Sequence, residues 1–483
     1  MARGGDRSPL SAAINVLGQD REMAEPRDIE VTAISPQRLS YLIGSSRLDS
    51  LVRAAEQTRA TLRGNRVWNL SATSAGGGVA EMLHTLVGYS LGCGVDTRWV
   101  VIDGDADYFK ITKRLHNRLH GTVGDTGGLG PSEADHYEAV LNENAVALIN
   151  RNNEGDVVVL HAPQTVGLAE PLTERGARVV WRCHIGTERS NAHTEQAWNF
   201  LQRYLRSCCT YVFSHSGFVP RFLADADLAI IAPSIDPHAA KNRRLSGAQV
   251  HKLLVRIGLF DDGNASVRSL GAGLGGGGPI SADDRVVVQV SRWDHLKDMQ
   301  GVLEGFARKS TRQGDVRLAL VGPAVDAVSD DPEGATVLEE CLTFWENLSS
   351  KQRSAVRLIT LPMDDFELNA LMVNAIQRHA TVVVQKSLQE GFGLTVAEAM
   401  WKSRPVVASA IGGIVDQVAP GTGILLSDPS DLDTFAETLD DLLAQPEKMA
   451  GLGRRARERI RSEFLSDRHL VDYARLIEHV ARL

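Results

Sequence analysis

The sequence predicts an α/β protein built from two Rossmann-like, doubly wound domains, on three observations. Short runs rich in Val, Ile and Leu alternate with helix-length segments along most of the chain, the pattern of parallel sheets covered by helices on both faces. At 483 residues the chain is longer than one hydrophobic core usually supports. Each half also contains the same local unit, a buried strand, a glycine-bearing loop and a helix.

Composition narrows the function. A hydrophobic fraction of 43% and a charged fraction of 23% are ordinary for a globular protein. The net charge of -8 disfavours nucleic acid or an anionic membrane as the main partner, because either needs a concentrated basic face. Cys93, Cys183, Cys208, Cys209 and Cys341 show no paired metal spacing and read as reduced thiols. The start, Met-Ala-Arg-Gly-Gly-Asp-Arg, lacks a signal-peptide apolar region, and no apolar run reaches the roughly 18 residues of a membrane helix. A cytoplasmic, membrane-free protein is the expectation.

Residues 1–30 are polar and without period, and are expected to be disordered. The first domain is expected over 31–233. Leu48–Leu62 has helical apolar spacing and Gly64 ends it. Arg66–Leu70 reads as the first strand, followed by Ser-Ala-Thr-Ser-Ala-Gly-Gly-Gly and a helix over Val79–Leu91. Gly77 and Gly78 could bring backbone amides to a sugar or phosphate, although a triple glycine before a helix is often only a tight turn. Further strands are predicted at Thr97–Ile102, Asp156–Leu160, Arg178–Arg182, Thr210–Ser214 and Leu228–Ala232. Ligands of such sheets sit beyond the carboxyl ends of the strands, where His161-Ala-Pro-Gln164 and Cys183-His184-Ile-Gly186 lie.

The second domain is expected over 234–466, with a glycine-rich surface insertion at 261–284 that lacks the GKS/T of a phosphate loop. Its strands are predicted at Arg285–Val290, Leu318–Val321, Val356–Leu361, Thr381–Gln385, Pro405–Ala408 and Gly423–Leu426. After the first strand, Arg292 and Lys297 share one loop. Such a pair is usually solvated, but at the carboxyl end of a strand it can converge on a diphosphate. The stretch Thr381–Val407 is the most informative. Gly391 and Gly393 let backbone approach a ligand, and the first-turn amides of the following helix, at Leu394 and Thr395, favour an anion. Glu390 and Glu398 flank that anion site, so they can reach opposite ends of a ligand whose middle is a phosphate. Two solvated glutamates around a helix start are the plainer reading, and the glycines and flanking strands in register weigh against it.

The glutamate pair around Gly-Phe-Gly-Leu (Gly391, Phe392, Gly393, Leu394) resembles the signature of retaining, nucleotide-sugar-dependent glycosyltransferases of the GT-B fold and GT4 type. Val-Gln-Lys-Ser, Glu-Gly-Phe-Gly-Leu-Thr-Val and Glu-Ala-Met-Trp-Lys are similar to the glycosyltransferring trehalose synthases and to trehalose phosphorylases. Asn-Leu-Ser-Ala-Thr-Ser-Ala-Gly-Gly-Gly resembles that family's first loop, and Pro233-Ser-Ile-Asp-Pro237 its hinge. The resemblance implies two domains facing a central cleft, a terminal helix over 467–483 returning to the first domain, and glucose transfer with retention from a nucleoside-diphosphate-glucose (UDP, ADP or GDP) to glucose or a glucose-like cyclitol. It implies donor contacts from Gly77, Gly78, Arg292, Lys297, Glu390, Gly391, Phe392, Gly393, Leu394, Thr395 and Glu398. It places His184 beside the anomeric carbon, with Glu390, Arg292 and Lys297 completing the catalytic group. No metal or other cofactor is expected, and a homodimer is one candidate assembly.

Gln164, Arg182 and His184 are the candidate acceptor contacts, beside two departures. Ala162 and Gly186 stand where the family usually carries aspartates, which opens the acceptor's identity. Three other readings stay open: a phosphorylase using inorganic phosphate, a sugar-nucleotide epimerase, and a non-catalytic sugar-binding protein.

Overall fold

The computed structural model describes residues 25–74, 77–261, 275–276, 280–309, 314–325 and 333–483. Two seven-stranded sheets are present among them, each flanked by helices. In chain order the first sheet comprises β1 (Arg27–Asp28), β2 (Val67–Ser71), β3 (Thr97–Val101), β4 (Val157–His161), β5 (Arg178–Cys183), β6 (Thr210–Phe213) and β7 (Leu228–Ile230), laid out as β1-β3-β2-β4-β5-β6-β7. The second comprises β8 (Gly275–Gly276), β9 (Arg285–Val290), β10 (Val316–Pro323), β11 (Val356–Leu361), β12 (Val382–Gln385), β13 (Val406–Ser409) and β14 (Ile424–Leu426), laid out as β14-β13-β12-β9-β10-β11-β8.

All neighbours pair in parallel except the two edge strands, β1 and β8. β1 departs from the sequence reading. Residues 25–30, expected to be disordered, include a strand whose Arg27 and Asp28 pair with Val101 and Val100. Asp28 also accepts an ion pair from Arg151. Two residues are too few to carry a period, and their partners lie far along the chain. Residues 1–24, Gly76 and most of the insertion at 261–284 lie outside the described residues, but Gly275–Gly276 closes the edge of the second sheet against Arg357 and Leu358.

The strands read as unbroken apolar runs because both faces are covered. Val157 and Val159 join one apolar cluster, while Val158 and Leu160 join the cluster on the opposite face. The first cluster continues into the second domain through Val286, Val288 and Val321, and it includes Leu470, Tyr473 and Ile477 of the last helix, Ser466–Val480. Strand order then fixes where a site can form. It reverses direction between β2 and β4 in one sheet and between β9 and β12 in the other, and the crevices at those points open beyond the carboxyl ends of the strands.

The chain crosses between domains twice, and the two crossings are laced together. Ile235 donates its N–H to Phe464, the Ser466 hydroxyl donates to Ile235, and Arg468 donates to the carbonyls of Ala232 and Pro233. Helix Ser466–Val480 then packs on helix Ser40–Leu62, where Arg47 grips Asp467 through two bonds of 2.7 and 2.8 Å. The Asp467 side chain is 4% exposed. Removing the guanidinium would leave a buried carboxylate unpaired, a loss of about 3 kcal/mol. Arg47→Ala should therefore lower the chemical-denaturation midpoint clearly, and an unchanged midpoint would show that water replaces the pair.

Candidate functional site

The loops at the two reversal points meet across the domains. After β9, Asp294 caps the short 3-10 turn His295–Lys297 by accepting the Leu296 N–H at 2.8 Å, and it also accepts from Arg292 at 2.8 Å. Burial alone would raise the Asp294 pKa, but Arg292 and Lys297 hold it below the usual carboxylate range. After β12, the wholly buried Lys386 donates to Asp298 and to the Pro429 carbonyl, and the Leu388 N–H donates to Leu296 at 2.8 Å. These bonds hold the two loops in register. Lys297 Nζ then lies 2.8 Å from Glu390 Oε2, with the side chains 16% and 12% exposed. One of its three N–H donors is so engaged, leaving two for another acceptor.

Helix Leu394–Trp401 starts from Gly393 at φ 80°, a left-handed conformation that glycine adopts without strain. Thr395 Oγ1 donates to Gln385 Oε1 at 2.8 Å. The Phe392 ring packs 5.9 Å from that of Phe464. Leu394 faces Gly78 of the first domain, where a Cβ would lie 2.9 Å from Leu394 Cδ1. Gly77, at φ 92°, precedes Gly78 at the start of helix Gly78–Gly92. Gly391 approaches more closely still, since a Cβ there would lie 2.8 Å from the His184 carbonyl oxygen.

Glu398 is 2% exposed, and its Oε2 is buried without a hydrogen-bond partner. Burial raises its pKa, opposed by Lys241 and Lys402. Burial also draws Lys402 down to about 7, against the pull of Glu398. Lys402 Nζ donates to Gln377 Oε1 at 2.7 Å and to Asn242 Oδ1 at 3.2 Å. Lys241 resists burial because Glu81 and Glu398 hold its charge, and it pairs directly with Glu81 across the domains.

In the first domain His184 is 8% exposed and stacks on His161 at 5.3 Å between centroids. The Nε2 of His184 is 3.0 Å from His161 Nδ1, and His161 Nε2 is 3.0 Å from Asn69 Oδ1. Burial keeps both rings neutral, drawing His161 down to about 3 and His184 well below its ordinary value. With Asn69 Oδ1 as acceptor, each Nε2 carries the proton and His184 Nδ1 is left as an acceptor. Gln164 keeps its Oε1 buried and unpartnered. Arg182 is 0% exposed, donates to the Ile231 carbonyl at 2.6 Å and lies under the Tyr473 ring. That position braces strand ends and the last helix.

Ala162 holds φ 64°, a left-handed backbone that costs an alanine about 1 kcal/mol and that aspartate tolerates better. A Cβ at Gly186 would lie 2.5 Å from Phe218 Cγ, so the phenyl ring occupies the space an aspartate there would need.

Several contributors were not singled out from the sequence. His120 bonds the Gly186 carbonyl through Nδ1 at 3.1 Å; burial and Lys297 draw it down to about 4. His116 stacks edge-on against it. Asn69, Lys241, Lys386 and Phe218 were not singled out either, and His161 was noted only as the first residue of the segment beyond its strand. Asn69 and Lys386 lie within the family-like motifs quoted above without receiving a role there, and the others lack a local signal. Among the described residues, no group of three or more His, Cys, Asp or Glu could hold a metal ion, and no helix is long and apolar enough to cross a membrane.

Two facing Rossmann-like domains with a glutamate-flanked glycine loop at the cleft define a glycosyltransferase of the GT-B fold, and the comparisons agree. Residues 277–459 match the glycosyl transferases group 1 family and residues 69–220 the trehalose synthase N-terminal domain. The trehalose synthase of Rubrobacter xylanophilus is 35% identical over 86% of this chain and 90% of its own length. That of Pyrococcus horikoshii is 32% identical over 89% of this chain and 93% of its own. The chain belongs to the trehalose synthase family. Trehalose phosphorylase of Grifola frondosa is more distant, 25% identical over 87% of this chain but 58% of its own length. A UDP-forming α,α-trehalose-phosphate synthase from Burkholderia vietnamiensis shares the fold, with TM-score 0.65 and 15% identity over 87% of this chain and 99% of its own.

Two measurements test this geometry. Gly186→Asp should destabilise the protein by about 1–3 kcal/mol through overpacking; made in a Phe218→Ala background, which loses its own buried ring, the same change should cost clearly less, a relative recovery that a double-mutant cycle reads. No recovery in thermal melts would mean that Phe218 is not the obstacle. His215 bridges the domains, 2.8 Å from Asp416 and 2.9 Å from Glu188. Its bond to Asp416, partly opposed by burial, raises its pKa. The stability from this bridge is full below the free histidine value, about 6.5, and is lost as pH rises through the higher folded value. His215→Ala should remove that part of the pH dependence of the unfolding midpoint; an unchanged profile would assign it to another group.

Proposed function

We propose that the protein transfers glucose from a nucleoside-diphosphate-glucose to a sugar or cyclitol hydroxyl, with retention and without a metal ion, forming trehalose or an α-linked analogue. The observation that carries this reading is Glu398 Oε2, buried and unpartnered beyond the first turn of the helix that Gly393 starts. Ribose hydroxyls would satisfy it, while the helix N-terminus, Arg292 and Lys297 take the diphosphate. A phosphorylase would leave that carboxylate unused.

The reaction follows from the same groups. The acceptor oxygen attacks the anomeric carbon from the face the leaving group departs, the bond to the diphosphate oxygen breaks, and the acceptor proton passes to a phosphate oxygen. Lys297 and Arg292 stabilise the growing negative charge. Glu390 orients Lys297, and His184 Nδ1 accepts a hydroxyl of the transferred sugar. No side chain in the cleft is placed as a covalent nucleophile in this scheme. Gln164 Oε1 provides one acceptor contact. With Ala162 and Gly186 in place of carboxylates, and Phe218 filling the second position, the acceptor side is less polar, which favours a less hydroxylated or modified sugar, or a cyclitol, over free glucose.

The decisive experiment incubates the protein with UDP-, ADP- and GDP-glucose and a panel of sugars and cyclitols, identifying products and anomeric configuration by mass spectrometry and NMR. An α-linked product from a nucleotide-glucose is expected; cleavage only with inorganic phosphate, or a β-linked product, would overturn the proposal. Lys297→Ala should lower turnover at least ~100-fold, and Glu398→Gln should raise the donor KM with little change in kcat, since ribose hydroxyls gain no charge in the transition state. Unchanged donor affinity in Glu398→Gln would make that residue structural.

A further inference from the structure

A cavity of about 380 Å³ lies at the far end of helix Leu394–Trp401 from the cleft. Its lining joins three parts of the molecule: Tyr41 and Leu42 of the first domain, Pro237 and Arg244 of the crossing segment, and Arg378 and Arg457 of the second domain. An adjoining cavity of about 390 Å³ shares Arg378 and adds Arg404 and Lys402.

The charge balance there is unusual. Arg378 donates to Asn374 Oδ1 and to the carbonyls of Asn242 and Arg243, all neutral acceptors. Burial and the charges of Arg457, Arg404 and Arg244 draw its pKa down to about 10. Among the described residues, no carboxylate pairs with any of these four arginines, whereas neighbouring Arg243 pairs with Glu367 at 3.3 Å. In a chain of net charge -8, four guanidiniums gathered without a carboxylate partner repel one another; water screens exposed Arg244 and Arg457, the latter over the Trp401 ring, and an anion would relieve half-buried Arg378 and Arg404. Guanidiniums suit phosphate oxygens in pairs, and the volume falls in the range of small-molecule sites. Tyr41, 75% exposed, offers an apolar face for the carbon skeleton.

We propose that this cavity is a second anion site, taking a phosphate monoester on a hexose-sized body. Its ligand would touch both domains and the crossing segment between them. It would also draw on Asn242, whose carbonyl accepts from Arg378 and Trp401 and whose Oδ1 accepts from Lys402, the cation beside Glu398. Occupancy therefore shifts the donor KM more than kcat.

Calorimetric titration with glucose 6-phosphate tests the site in the wild type, in Lys297→Ala, which removes a cleft cation, and in Arg244→Glu/Arg457→Glu, which reverses two exposed cavity cations. Binding should persist unchanged in Lys297→Ala and weaken at least ~10-fold in the double variant, as loss of charge-assisted contacts requires. The double variant should keep its basal transfer rate, and neutral glucose should show no heat that depends on Arg244 or Arg457. Where the double variant does not fold, Arg244→Ala alone repeats the test at an exposed position. Equal affinity in the cavity variants, loss of binding in Lys297→Ala, or no binding at millimolar ligand would overturn the proposal.

Discussion

The site exists because backbone meets backbone across the two domains. At Gly391 a single added carbon would come within 2.8 Å of the His184 carbonyl, so only glycine lets this loop settle there. That approach sets Glu390 and Lys297 within the electrostatic reach of His120, and Lys297 and Arg292 within that of His116. Burial first, and those cations with it, keep both histidines unprotonated, which spares the cleft a further positive charge. Moving the domains apart by a few ångströms would undo this whole set of dependencies together, because no one domain holds them.

Buried charge in the second domain is organised in two ways. Lys386 is held by Asp298 and a carbonyl, and its work is to fix loops. Lys402 and Glu398 share one interior without a direct ion pair between their charged ends, and Glu398 keeps an oxygen in reserve. A buried polar atom without a partner is a cost to folding that a ligand can recover. Arg182 poses the same question in the first domain, where Nε and Nη1 are buried and unpartnered near His469 and Tyr473, each with an unpartnered atom of its own.

How much could be read from the sequence follows from how far apart the contributors lie. The parallel strands were legible because burial on both faces leaves unbroken apolar runs, and the loop at Gly391–Gly393 because glycines and glutamates sit within one short stretch. β1 was not, being two residues long and dependent on a partner more than seventy residues on. The His161–His184 pair needed the β4–β5 register, in which His161 sits opposite Arg182. Phe218 behind Gly186, and the arginines at 244, 378, 404 and 457, are joined only by the fold. The departures at Ala162 and Gly186 were visible as residues, but the ring that fills one of them was not.

The last helix also sets an order of assembly. Leu470, Tyr473, Ile477 and Val480 complete an apolar cluster whose other members include Leu51, Ala55 and Leu83, residues synthesised some four hundred positions earlier. As the chain leaves the ribosome, the first domain must wait with that face uncovered until the second domain has been made. Its early half is therefore the part most exposed to chaperones and to premature association, and docking of the helix Ser466–Val480, not completion of the first sheet, is the step at which it becomes closed.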